Sequence, residues 1–322
     1  MPLSLCYTPP MSPTSRRRFL LQTAAAASSL ALFSKNPFAQ SGPALSFPAA
    51  PRDRISVASY PFREYIPGPD AKAPKAALIE LQDFAAHVKA KFGVNKIEPW
   101  SPHFPSTDSN YLDQFRTSID RAGCQVINLA VDGKDSPYAP TSAERDRAVA
   151  FSKKWVDIAC KLGSHSIRTH IPQAHDSKPD VARTADTLLR VLEYASSHGI
   201  VISLENDDPV SEDPFFIVEV IDKVRSPWLC ALPDFANSLA TSPEDHAYSG
   251  IDAMFAHACC ICHVKDQEAT ASGRLVHVDM PRTFGYLKQH NYKGYLSMEW
   301  DSPGDPYAGT VRLIDETVQG LA

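Results

Sequence analysis

Residues 200–264 read IVISLENDDPVSEDPFFIVEVIDKVRSPWLCALPDFANSLATSPEDHAYSGIDAMFAHACCICHV. One pattern recurs along this stretch. A short apolar run, 200–205, is followed by a helical period over 214–224, and the same pair returns at 229–233 and 243–256. A third apolar run occupies 259–264. Each run is too short for a helix and rich enough in branched residues for a buried parallel strand. Each helical segment is long enough to cross back over a sheet.

The pattern extends in both directions. Upstream, strands are expected at 55–60, 94–98, 125–131 and 166–170, with helices at about 73–92, 111–122, 143–162 and 180–197. Gly199 sits just past the last of these, where a left-handed cap is expected. Downstream, a helix over 281–290, a strand over 295–299 and a helix over 307–321 close the chain. Eight strand-then-helix units predict an α/β protein, a (β/α)8 TIM barrel, in a single domain over 55–322. No glycine-rich phosphate fingerprint follows the first strand, which argues against a dinucleotide fold.

The N-terminus reads as a targeting segment. Ser15-Arg16-Arg17-Arg18-Phe19-Leu20 opens a stretch without charge to Phe33, followed by a polar exit. This order resembles a twin-arginine signal, which predicts a leader over 1–39, a Pro/Ala/Ser-rich linker over 40–54 and export to the periplasm. The leader carries four basic residues and no acidic one. Without it the chain keeps 28 basic and 37 acidic residues, a formal charge of −9. Such a chain repels polyphosphate, so nucleic acid is not expected as a partner. No later apolar run reaches the roughly 20 residues that span a bilayer, so no stable membrane insertion is expected after signal removal. The six cysteines beyond the leader lack zinc-finger spacing and read as buried, reduced core residues.

Four residues fall at one place in four successive units. Glu205, Asp234 and Glu299 end the fifth, sixth and eighth strands, and His263 lies late in the seventh. The intervals are 29, 29 and 36 residues, each about one unit. Strand ends of a barrel open on one face, so three carboxylates and an imidazole should converge there. Carboxylates that close repel one another in a partly dry site. One bound divalent metal ion (Mn, Mg, Co or Zn) removes that cost and suits the donor set.

Leu204-Glu205-Asn206, Pro233-Asp234-Phe235-Ala236-Asn237, His263-Val264-Lys265-Asp266 and Met298-Glu299-Trp300 resemble the xylose isomerase-like barrel superfamily. The likeness is stronger to its sugar phosphate isomerase/epimerase and inosose dehydratase branches. It implies the metal roles for Glu205, Asp234, His263 and Glu299. It also implies a sugar or polyol substrate and an isomerase or epimerase that works through an enediolate, with Glu205 and Glu299 as the acid/base pair. A keto-sugar or keto-glycoside lyase or dehydratase is the alternative, and a non-catalytic sugar-binding barrel is a third reading. The superfamily's multi-zinc nucleases carry a histidine three residues after the Asp. Here that residue is Asn237, which argues for a single metal.

Other residues near the strand ends complete the expected site. Lys265 can polarise a carbonyl. His170, Glu98, Trp100, His103, Asn237 and Trp300 are candidates to touch substrate, an aromatic ring by stacking on a sugar. No basic cluster follows the seventh and eighth strands, so the expected substrate lacks phosphate.

Overall fold

The computed structural model describes residues 42–69, 78–208, 211 and 213–322. The leader proposed for 1–39 lies outside them. Eight parallel strand positions close into a barrel: β1 Ile55–Ala58, β2 Lys96–Glu98, β3 in two pieces (Gln125–Val126 and Leu129–Val131), β4 Ser166–Thr169, β5 Val201–Glu205, β6 Leu229–Leu232, β7 Ile261–Val264 and β8 Tyr295–Met298. β8 pairs with β1, Ser297 beside Ser56, which closes the ring. Single bridges at Ala231–Ala258 and Asp234–His263 join β6 to β7.

The helices follow in turn: α1 Phe84–Phe92, α2 Ser109–Ala122, α3 Ser142–Leu162, α4 Val181–Ser197, α5 Pro214–Val224, α6 Glu244–Phe255, α7 Met280–Gln289 and α8 Pro306–Leu321. Their starts are chemically specified. Asp213 and Asp305 each accept a bond from a first-turn amide, and each precedes a proline, the residue best suited to open a helix. Thr141 and Glu144 cap α3 reciprocally. Gly199 takes φ of 71°, the left-handed turn expected beyond α4.

Several local expectations change. β1 stops at Ala58 because Tyr60–Phe62 turns as a 3-10 helix around Pro61. α1 begins after a 3-10 turn at Leu81–Asp83. A short helix, Asn237–Thr241, precedes α6, and an antiparallel hairpin, Gln267–Ala269 with Leu275–His277, leaves the end of β7. The third strand breaks at 127–128. Ile127 packs in the barrel's inner apolar cluster, while neighbouring Asn128 bonds inward to Glu98 and Ser166. Two consecutive inward residues cannot sit in a regular pleat, so the ladder is interrupted there.

The stretch read as a linker is tied down from Gly42 onward. Leu45 packs against the inner cluster, Phe47 meets Tyr295 edge-on at 5.3 Å, and Arg54 donates to the carbonyls of Gly294 and Tyr292. The chain 42–54 therefore belongs with the barrel. The cysteine reading also needs correction. Cys230 and Cys259 form a disulfide, while Cys124, Cys160, Cys260 and Cys262 are free. Closing a 29-residue separation stabilises the fold by roughly 3.6 kcal/mol in the chain-entropy picture.

The barrel interior is layered by strand alternation. Val201, Ser203 and Glu205 lie on one side of β5; Tyr295, Ser297 and Glu299 follow the same rhythm up β8. Apolar Ile127, Val201, Cys230, Leu232 and Ile261 cluster together at its lower end. Buried Ser56, Glu98, Asn128, Ser166, Ser203 and Ser297 supply polar atoms farther up. Among the described residues no helix is long and apolar enough to cross a membrane.

Candidate metal centre

Glu205, Asp234, His263 and Glu299 meet at the C-terminal end of the barrel. One donor atom from each lies within 4.8 Å of the others, and all four residues are buried. Register explains the convergence. His263 bridges to Asp234 on one side and pairs with Ser297 on the other, so it sits one inward step below Glu299.

Each donor is aimed by its surroundings. The amides of Ala236 and Asn237 both donate to Asp234 Oδ1 at 2.8 Å. Asn206 accepts from the Asp234 amide and donates to its carbonyl, which pins the backbone. Asp234 thus holds the turn that leads into the short helix with one oxygen. Its buried Oδ2 accepts no hydrogen bond and has Lys265 Nζ 3.7 Å away. An unbonded buried carboxylate oxygen beside other carboxylates is what a bound cation would satisfy. His263 Nδ1 lies 2.6 Å from Glu205 Oε1 and 3.2 Å from Glu299 Oε2. This donor set, three carboxylates and one imidazole, suits a divalent metal ion.

The electrostatics carry the strain of crowded carboxylates. Burial disfavours a charge on His263, but Glu205, Glu299 and Glu98 outweigh it and hold its pKa well above the usual range. Burial, reinforced by Glu205 and Glu299 against the pull of Lys265, raises Asp234 to about 6. Glu205 is raised, chiefly by burial against the pull of Arg168 and His263. Glu299 is held far below the ordinary carboxylate value, because His263 and Lys265 overcome its burial.

The supporting residues fall into two groups. Lys265 donates to Asn237 Oδ1 at 2.9 Å and lies 3.2 Å from Glu299 Oε2, so both reach the centre. His170 Nδ1 stands 3.8 Å from Asp132 and 3.7 Å from Asp207 at the mouth. Trp100 donates to Asp132 Oδ2 at 2.7 Å and meets Tyr60 edge-on at 5.0 Å, forming a half-exposed wall.

Three expected substrate contacts sit elsewhere. Glu98 is fully buried, with both oxygens about 3 Å from His263 Nε2 (3.0 and 3.1 Å). Its burial is outweighed by His263, which pulls its pKa down. His103 bonds Ser59 Oγ through Nδ1 and packs on the edge of Trp100, so it backs that wall. Burial, with help from Arg63, lowers its pKa to about 3 and keeps it neutral. Trp300, next to inward Glu299, points outward against α8. A Cβ on Gly309 would stand 2.4 Å from its indole, so that glycine and the ring are fitted to each other.

The sequence reading missed Arg168. This buried guanidinium ion-pairs with Glu205 and Asp132 and lies 3.5 Å from Asp207. Asp132, His170 and Asp207 also hold donor atoms within 4.8 Å of one another, and Arg168 already supplies the positive charge there. The signal was present: Ser166 and Arg168 share one side of β4, and a charged residue inside a buried strand needs partners.

Comparison with known proteins agrees with this fold. Residues 87–317 match the family described as xylose isomerase-like TIM barrel. No protein with a curated description matches. Similar solved structures include D-psicose 3-epimerase from Clostridium cellulolyticum H10 with D-tagatose (14% identity, 83% of this chain and 96% of that one, TM-score 0.61). A xylose isomerase-like TIM barrel protein from Mycobacterium smegmatis in complex with magnesium is 17% identical over 83% of this chain and 97% of that one, with TM-score 0.59. The 3-keto-D-glucoside 4-epimerase from E. coli is 15% identical over 82% and 98%, with TM-score 0.58. At these identities the likeness is one of fold.

Proposed function

The chain belongs to the xylose isomerase-like TIM barrel family, and on that premise we propose that it is a metal-dependent isomerase or epimerase of a sugar or polyol. The observation that carries this reading is the convergence of Glu205, Asp234, His263 and Glu299 from four neighbouring strands. Epimerases among the similar structures support the reaction class.

A bound divalent ion supplies a Lewis acid for a carbonyl and its neighbouring hydroxyl. The chain's own groups do the rest. Glu205 and Glu299 approach the centre from β5 and from the end of β8, one to take a proton beside the carbonyl and one to return it. Lys265 is held as an ammonium because Asp234, Glu299 and Glu268 outweigh its burial, so it can donate to an oxygen that gains charge. Arg168 holds Glu205 in place. Trp100 and Tyr60 offer ring faces and edges to a sugar, while Asp132, His170 and Asp207 can bond its hydroxyls. The same polar cluster offers hydrogen-bond partners to a departing hydroxyl, which keeps a lyase or dehydratase as the second reading.

Solvent deuterium decides between them. Metal-loaded protein in D2O should place deuterium beside the carbonyl of a keto-sugar without net loss of water if it epimerises or isomerises. Loss of a β-hydroxyl or glycosyl group from 3-keto-glycosides would indicate the lyase. Metal binding with no exchange across such a panel would leave a sugar-binding barrel.

Export by the twin-arginine route completes the reading. A disulfide at Cys230–Cys259 suits an oxidising compartment. Replacing Arg16 and Arg17 by lysine should retain the protein in the cytoplasm on fractionation. Unchanged periplasmic recovery would count against the leader.

A further inference from the structure

His263 has a carboxylate on each ring nitrogen. Nδ1 faces Glu205 and Glu299, two of the proposed metal ligands. Nε2 faces Glu98, which reaches it from β2, three strands round the barrel from β7. Glu98 is itself held. Asn128 Nδ2 donates to its Oε1 at 2.6 Å, and Asn128 Oδ1 accepts from the Ser166 hydroxyl. An ionised carboxylate can only accept, so Glu98 fixes which end of the Asn128 amide meets it, and the Ser166 hydroxyl donates to the other end. The result is a buried polar chain from β7 through β2 and β3 to β4, with no member at the mouth.

We propose that Glu98 is a positioning residue for the metal centre: it accepts the Nε2 proton of His263 and leaves Nδ1 as the lone-pair donor that faces Glu205 and Glu299. The inference rests on reading the four-residue site as a metal centre.

The argument is one of tautomer and rotation. A neutral imidazole carries one proton, and the nitrogen that binds a metal must be the other one. A buried Nε2–H without an acceptor would be a donor stripped of water with nothing to replace it. A carboxylate is the strongest acceptor available and also makes the opposite nitrogen more basic. Flipping the ring would break contacts on both sides at once. Glu98 thereby acts on the metal through His263 and without touching substrate, which accounts for its complete burial. The break in β3 that turns Asn128 inward is part of the same device.

Manganese titration of chelator-stripped full-length protein, followed by calorimetry, tests the inference. Wild type should bind one equivalent, and Asp234→Asn should bind none tightly. Glu98→Ala should bind about 10- to 100-fold more weakly at the same stoichiometry. Glu98→Gln keeps an acceptor and should fall between the two. Circular dichroism and melting confirm that each variant is folded. Nitrogen NMR of histidine-labelled, zinc-loaded wild type should show the His263 proton on Nε2. If Glu98→Ala does not fold, Glu98→Gln and the NMR decide. Wild-type affinity in the folded glutamate variants, or a proton on Nδ1, overturns the inference and spares the metal reading. Wild type that binds no metal removes both.

Discussion

Asp234→Asn is expected to abolish tight metal binding, by at least about 100-fold, and to remove activity with it. The size follows from the two oxygens' different jobs. Oδ1 accepts two backbone amides and Oδ2 is unbonded. An asparagine keeps its oxygen on the amides, so the turn survives and the NH2 group takes the ligand position. A donor there repels a cation, and the loss should exceed the ten- to hundredfold that outer partners of a ligand cost. Stability should move the other way. With a pKa near 6 in the folded chain, against roughly 3.9 unfolded, ionised Asp234 costs stability. That cost is absent below about pH 4, grows through the interval and is complete above about pH 6. Metal-free Asp234→Asn should therefore match or exceed metal-free wild type above pH 6, by roughly 1–3 kcal/mol. In wild type, metal affinity should fall as pH drops below about 6, because protons compete for the same oxygen. Calorimetry and urea unfolding across this range read both effects. Wild-type metal affinity in the variant would remove Asp234 from the site.

Arg168→Met is expected to destabilise the protein by about 3–5 kcal/mol. Arg168 is buried, and its partners Glu205, Asp132 and Asp207 converge on one guanidinium. A methionine fills much of the volume, so the loss reports the charges left behind. Glu205 suffers most because it has no access to water. Arg168→Lys should recover only part of the loss. A lysine point charge cannot reproduce the planar fork that touches three carboxylates in different directions. Chemical denaturation with and without metal separates the contributions, since a bound cation should restore some stability to the Met variant. A loss under about 1 kcal/mol would mean that the cluster is neutralised in another way.

The candidate metal residues were legible because strand periodicity and chain interval together determine position. Glu205, Asp234 and Glu299 each close an apolar run, His263 lies within the next, and the intervals match one βα unit. Tyr60 and Asp207 were not legible, because their place depends on how the turns after β1 and β5 fold. The hairpin after β7 was hidden for the same reason: residues 267–277 hold only Leu275 and Val276 as large apolar side chains and carry a turn signal at Gly273, whose φ is 81°. The Cys230–Cys259 bond could not be read either, since spacing says nothing of which residues of two neighbouring strands stand side by side.

By itself the sequence determined the number and order of the strands and the four side chains that gather at the C-terminal end of the barrel. These depend on local periodicity and on a closure that admits little variation. Only the tertiary structure decided which way the remaining polar groups face. Glu98, His103 and Trp300 follow strand ends as plainly as the four donors do. The stagger between strands turns Glu98 onto His263, the 3-10 turn after β2 puts His103 behind Trp100, and alternation sends Trp300 outward onto α8. Those outcomes depend on register around a closed ring, a property of all eight strands together and of no single segment.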